Sequence, residues 1–252
     1  TGVNDEGLNG TVIVTVDNKN FTVVLIDGVG SVIVSDLSVG NYTALVKYLG
    51  NDNYNCSEMS VNFTVTKRTI DPNNVKVNIT NPTYGNTTIE VIVPSDATGN
   101  ITITIDGENY TVEIINGTAI FELGNNITAG DHNITVVYSG DDNYNNITKK
   151  DNITVEKGSI DPDEVIVNVT NPAYGNTTIE VIVPSDATGN ITITIDGENY
   201  TVEIINGTAI FELGNNITAG DHNITVVYSG DDNYNNITKK DNITVEKGSI
   251  DP

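Results

Sequence analysis

The 252-residue sequence holds one cysteine, Cys56, and no tryptophan. A lone cysteine excludes an intrachain disulfide framework, so the fold must rest on packing and hydrogen bonds. Histidine is almost as scarce, with His132 and His222 the only two. A catalytic centre needs a nucleophile, a tuned base and an oxyanion or metal site held together, and little is present to build one. No glycine-rich phosphate loop opens a helix, and no apolar run approaches the roughly 20 residues of a membrane helix. Lysine and arginine total 11 against 34 acidic residues, a net charge of -23. This balance argues against nucleic acid, and against contact with an anionic membrane within this segment. No signal-peptide pattern is visible, so secretion or anchoring signals are expected outside the segment.

What the sequence has in quantity is repetition. Residues 81–160 recur as residues 171–250 with one change, Thr83 becoming Ala173. A ninety-residue period made of strand-like segments predicts a string of similar domains, not one globule. Asparagine and threonine are also abundant, at 37 and 33 residues, and 23 of the asparagines stand in Asn-x-Ser/Thr. Part of that excess follows from strand alternation, which produces Asn-Ile-Thr whenever isoleucine faces inward and polar residues outward.

Within the second unit, Val75, Val77 and Ile79 alternate with polar residues up to the turn Asn81-Pro82-Thr83-Tyr84-Gly85. Ile89, Val91 and Val93 form the next inward row, ended by Pro94, which lacks the donor a ladder needs. Ile101, Ile103 and Ile105 then turn back through Asp106-Gly107 to Tyr110, Val112 and Ile114, a hairpin signature. Further rows run through Ala119, Phe121 and Leu123, through Ile134, Val136 and Tyr138, and through Ile153 and Val155. Seven short strands without a sustained helical period predict an all-β, two-sheet antiparallel sandwich, repeated as an extended rod of immunoglobulin-like domains.

Ile70-Asp71-Pro72 and Ile160-Asp161-Pro162 mark the joints, giving units 1–70, 71–160 and 161–252. Proline fixes its own backbone angle and restrains the aspartate before it, so a semi-rigid connection is expected. The first unit matches the others from Asp17, aligned with Asp106, to Gly50, aligned with Gly140, but lacks the first strand and nearly all of the second. A longer chain upstream would supply them, or a neighbouring molecule could donate them by β-strand addition.

His132 and His222, beside Asp131 and Asp221 at a strand entrance, read as solvated turn residues. Asp141 and Asp142, their copies Asp231 and Asp232, and the pair Asp161 and Asp163 carry the hard oxygens calcium prefers. Their spacing matches no EF-hand, and a solvated acidic loop is the plainer expectation. In that loop Tyr144 is expected to lay its ring over the sandwich end, with the phenol near water. No catalytic, cofactor or metal residue is assigned.

The asparagines carry the strongest chemical signal, that of N-linked glycans. The candidate sites are Asn20, Asn41 and Asn62 in the first unit. In the second they are Asn78, Asn86, Asn100, Asn109, Asn116, Asn126, Asn133, Asn146 and Asn152. In the third they are Asn168, Asn176, Asn190, Asn199, Asn206, Asn216, Asn223, Asn236 and Asn242. Strand alternation does not account for Asn116-Gly117-Thr118, which lies at a turn.

The run Ala97-Thr98-Gly99-Asn100-Ile101-Thr102-Ile103-Thr104-Ile105-Asp106, then Ala129-Gly130-Asp131-His132 and Tyr138-Ser139-Gly140-Asp141-Asp142-Asn143-Tyr144, closely resembles the group 3 bacterial immunoglobulin-like repeat. With its asparagine and threonine enrichment, the chain looks most like the large adhesin-like surface proteins of methanogenic archaea such as Methanobrevibacter. That resemblance implies an extracellular, cell-surface location and no catalytic residues. It implies a structural stalk or fibre segment of a glycosylated adhesin, displaying a binding region from the cell surface. Partners would be homotypic fibre contacts, or ligands on a host or neighbouring cell. Two alternatives stay open: a carbohydrate- or protein-binding adhesion module, weakened by the absence of tryptophan, and a strand-donating filament subunit.

Overall fold

The computed structural model describes residues 8–249. The described residues form eighteen strands and three short 3-10 turns. The first unit contributes β1 (Gly10–Val16), β2 (Lys19–Leu25), β3 (Gly40–Tyr48) and β4 (Ser57–Val65). They make one antiparallel sheet in the order β2-β1-β3-β4.

In the second unit β5 (Lys76–Thr80), β6 (Thr88–Ile92), β7 (Asn100–Ile105), β8 (Glu108–Glu113), β9 (Thr118–Glu122), β10 (Gly130–Tyr138) and β11 (Ile147–Val155) form two sheets. Their orders are β5-β6-β9 and β11-β10-β7-β8. The third unit repeats this with β12 (Ile166–Asn171), β13 (Thr177–Ile182), β14 (Asn190–Ile195), β15 (Glu198–Glu203), β16 (Thr208–Gly214), β17 (Gly220–Tyr228) and β18 (Ile237–Val245). The chain is thus all-β, a tandem of immunoglobulin-like antiparallel sandwiches in an elongated arrangement.

Alternation explains the packing. Strands of period two turn every second side chain to one face, and the β-branched residues take the inner one. In β7, Ile101, Ile103 and Ile105 are buried while Asn100 is exposed. These isoleucines meet Ile89 and Val91 of β6 across the gap between sheets, and Ile89, Val91, Ile101 and Ile103 lose all contact with solvent. The third unit has its own separate cluster around Ile179, Val181, Ile191 and Ile193. Asp106 and Gly107, at φ of 50° and 95°, make the β7–β8 turn, whose left-handed backbone matches the twist of the strands it joins.

The joints are short. Ile70 and Ile160, 5% and 6% exposed, pack into the core of the sandwich that follows each of them. Asp71 and Asp161 then cap 3-10 turns beginning at Pro72 and Pro162, each carboxylate accepting the amide N–H two residues on at 2.9 Å. Asp161 is therefore a cap, bonded through one carboxylate oxygen to the N–H of Asp163.

The first unit lacks a second sheet among the described residues. Its residues 29–37 follow the course of β9 without forming a strand, because no β6 equivalent pairs with them. The positions Ile103, Ile134, Ile153 and Val155 are fully buried in the second unit, but their counterparts Val14, Ala44, Phe63 and Val65 are only half-buried.

Candidate functional site

The residues with chemical potential converge on the ends of the sandwiches, where one unit meets the next. The loop Gly140–Asn145 begins with Gly140 at φ +81°, where an added Cβ would lie 2.7 Å from the Tyr144 carbonyl oxygen. That tight approach folds the loop around Asp141. One carboxylate oxygen of Asp141 accepts the N–H groups of Asn143 and Tyr144, both at 2.8 Å. The other accepts the Thr98 N–H at 2.9 Å and its hydroxyl at 3.1 Å. Asp231 repeats the pattern with Asn233, Tyr234 and Thr188.

The expected solvated acidic loop is therefore corrected for Asp141 and Asp231, while Asp142 and Asp232 are exposed. Sequence reasoning missed this because the binding groups of Thr98 lie 43 residues away. The Asx turn Asp-x-Asn-Tyr was the one local signal that could have revealed it. Burial works against the Asp141 charge, but the N–H groups of Thr98, Asn143 and Tyr144 and the Tyr138 phenol outweigh it, holding the carboxyl at about 2. Tyr138 and Tyr228 sit beneath these loops at 1% exposure, their hydroxyls without a hydrogen-bond partner of normal geometry. Burial, then the Asp141 or Asp231 carboxylate, pushes both phenols well above their ordinary range.

Because folding depresses the Asp141 carboxyl below its ordinary 3.8, its contribution is complete above that value and disappears as pH falls through about 2. At this partly exposed position the contribution is on the order of 1 kcal/mol after solvent screening. Urea titrations between pH 5 and pH 2 should show Asp141→Asn losing less stability than the parent chain. Equal pH slopes for the two would contradict the assignment.

The same loops receive the tail of the preceding unit. The Arg68 N–H donates to the Asn143 carbonyl at 2.8 Å and the Asn145 N–H to the Arg68 carbonyl at 3.0 Å. At the second joint Gly158 takes the same place, donating to Asn233 at 2.8 Å and accepting from Asn235 at 2.9 Å. Lys67 and Lys157 reach the carbonyls of Asp141 and Asp231. Each joint is thus a one-residue parallel bridge, Arg68 with Tyr144 and Gly158 with Tyr234.

The second joint has an additional anchor. Asp186 accepts the Tyr84 phenol at 2.8 Å and the Asn125 amide at 2.9 Å from the second unit, and the Tyr234 phenol at 3.0 Å from its own. The rings of Tyr84 and Tyr234 meet edge to face, 5.2 Å apart. Burial and the Asp186 carboxylate push the Tyr84 phenol up to about 12. At the first joint Asp96 accepts Tyr144 at 2.7 Å. Tyr144 is 2% exposed, so the expectation of a phenol near water is also corrected.

The histidines are not solvated. His132 is 9% exposed; Nδ1 pairs with Asp106 at 2.5 Å and Nε2 with the Thr128 carbonyl at 2.9 Å, tying the β7–β8 turn to the entrance of β10. His222 does the same with Asp196 and Thr218. Local sequence places these histidines at a turn, but the aspartate that captures each lies 26 residues away. Among the described residues, no group of three or more His, Cys, Asp or Glu side chains is placed to hold a metal ion. The histidines and loop aspartates are committed to structural bonds, and the loops they shape are the surface on which the tail of the preceding unit docks.

All 21 candidate asparagines are exposed. They do not form one site but spread over both faces and both ends. Their amides differ in availability. Asn20, Asn41, Asn62, Asn109 and Asn199 accept a cross-strand threonine hydroxyl through Oδ1. Asn78 and Asn168 instead donate Nδ2 to Glu90 and Glu180. Cross-strand Asn–Thr pairing gives these residues a structural role beside any modification.

Comparison with known proteins gives a family and a set of distant folds. The chicken interferon gamma receptor alpha chain is similar at 10% identity and TM-score 0.38, over 68% of this chain and 96% of that one. A two-domain fibronectin type III segment of chicken tenascin is similar at 14% identity and TM-score 0.40, over 68% and 98%. Fibronectin(III)-like modules of Clostridium thermocellum CbhA give 18% identity and TM-score 0.25, over 68% and 95%. No curated protein matches the sequence. The pattern of the bacterial Ig-like domain (group 3) matches residues 75–156 and 166–246, both complete sandwiches and more than half of the sequence. The chain therefore belongs to the bacterial immunoglobulin-like (group 3) domain family.

Proposed function

We propose that the chain is a stalk segment of an extracellular, cell-surface adhesin, holding a binding region away from the cell, like the methanogen adhesin-like proteins its repeat resembles. Its units are 1–70, 71–160 and 161–252. The observation that carries the reading is the second joint, where Asp186 binds Tyr84, Asn125 and Tyr234 together. A joint with side-chain bonds from both units resists bending, and reach is what a stalk supplies. Ig-like sandwiches suit the task because the separate cores let each unit unfold and refold alone under load.

The test is deletion of residues 161–250 from the protein on its native surface. A stalk should lose one unit of reach and keep its adhesive target. Loss of target binding would instead make the unit itself the binding module.

The exposed asparagines are read as a glycan coat, and their geometry limits it. Asn133 lies directly opposite Asn152 in the β10–β11 pair, and Asn223 opposite Asn242. Side chains so paired start only about 5 Å apart, too close for two branched glycans to spread freely. Glycopeptide mass spectrometry of native material should find one or the other of each pair occupied, and rarely both. Equal double occupancy would reject the crowding argument, and 21 bare asparagines would reject the coat itself.

A further inference from the structure

The second joint brings two tyrosines from different units onto one carboxylate. The Tyr84 phenol donates to one oxygen of Asp186 at 2.8 Å and the Tyr234 phenol to the other at 3.0 Å. Their rings meet with centroids 5.2 Å apart and planes at 85°. The other ring contacts among the described residues each join a tyrosine to a phenylalanine. Composition isolates the pair further. Cys56 and Met59, the only cysteine and methionine, lie in the first unit, and the chain has no tryptophan. Tyrosine is therefore the most readily oxidised side chain in the second and third units.

We propose that Tyr84 and Tyr234 are a modification site at which a peroxide, acting through one-electron oxidation, joins the two rings as a dityrosine across the joint. Each phenol gives one electron to the oxidant and releases its proton. The resulting phenoxyl radicals couple through the ring carbons beside their oxygens, forming one C–C bond. The hydrogens on the joined carbons then return to the oxygens as protons, restoring both phenols. The peroxide takes up two electrons and two protons and leaves as two waters. Asp186 is the local base. Burial, then the Asp186 carboxylate, pushes the Tyr84 phenol up to about 12, and the same causes raise that of Tyr234. Both phenols are thus neutral near pH 7, so oxidation must expel a proton, and the carboxylate stands ready to take it. Tyr84 is 7% exposed and held, whereas Tyr234 is half-buried and is the ring that turns from edge-on to coupling geometry.

The bond would close residues 85–233 into a loop. Under tension between the ends of the chain, force would pass from Tyr84 directly to Tyr234, and the loop could no longer extend, a loss of about 500 Å of contour length. That consequence rests on the stalk reading; the bond itself depends only on the joint.

The test treats the full chain at low concentration with hydrogen peroxide and a peroxidase, then isolates the monomer and digests it with trypsin. The expected product links residues 77–149 to residues 158–239, two hydrogens lighter than the two peptides together, with dityrosine fluorescence. Tyr84→Phe and Tyr234→Phe each keep the ring and its packing, and each should abolish the link. Tyr144→Phe and Tyr174→Phe, on the same two peptides, should leave it. Asp186→Asn should slow coupling by about tenfold or more. Persistence of the link in either Tyr84→Phe or Tyr234→Phe would overturn the proposal. Coupling only between chains, through exposed tyrosines such as Tyr54 and Tyr174, would overturn it too. An unchanged rate in Asp186→Asn would remove the carboxylate from its role as base. None of these outcomes bears on whether the chain provides reach.

Discussion

Replacing Ile103 with alanine is expected to destabilise the second sandwich by about 2–5 kcal/mol, the range for emptying a fully buried aliphatic site. Ile103 is 0% exposed at the centre of a core built by two facing sheets, so the surroundings can collapse only partly into the gap. The third sandwich should be unaffected, because its cluster around Ile193 shares no member with that of Ile103. Ile193→Ala should give the mirror result. Residue-resolved exchange, or denaturant titration with probes in each unit, separates the two transitions. A single transition shifted equally by either substitution would mean the units unfold as one body, and the view of independent load-bearing units would fail.

The second large effect is expected at the joint. Asp186→Ala removes the acceptor for Tyr84, Asn125 and Tyr234 at once, leaving the phenol of Tyr84 at 7% exposure without its partner. A hydrogen bond to a charged group is worth about 1.5–3 kcal/mol when enclosed, and an exposed carboxylate such as Asp186 gives less. The change should therefore loosen the joint more than it destabilises either sandwich. Small-angle scattering should show a broader, less extended distribution for the variant, with melting of the two sandwiches shifted by little. Asp96→Ala at the first joint, where Tyr144 is the tyrosine bound, should have a smaller effect. Equal profiles for parent and Asp186→Ala would place joint stiffness in the Gly158–Tyr234 bridge and the Pro162 turn instead.

The joint also shows how far local reading reached. Asp161-Pro162 announced a restrained connection, and the structure gives it a capped 3-10 turn. The order of residues there did not show that Asp161 accepts the N–H of Asp163. For Asp141 the expectation of a solvated loop failed for a tertiary reason. A carboxylate in a polar loop looks solvated until the strand end that hydrogen-bonds it is brought alongside. The exposure of the candidate asparagines was legible because alternation along a strand assigns faces without reference to any distant residue.

The sequence by itself determined the all-β class, the tandem organisation, the hairpin turns and which residues face the cores. Each depends on period-two patterning, on turn chemistry or on the repeat, all local along the chain. Only the tertiary structure decided that His132 is locked to Asp106, that the Asp141 loop is a docking surface, and that Tyr84 binds Asp186 across 102 positions. Those are partner choices between segments remote in sequence, made when sandwich ends close on one another, and neighbouring residues carry no record of them.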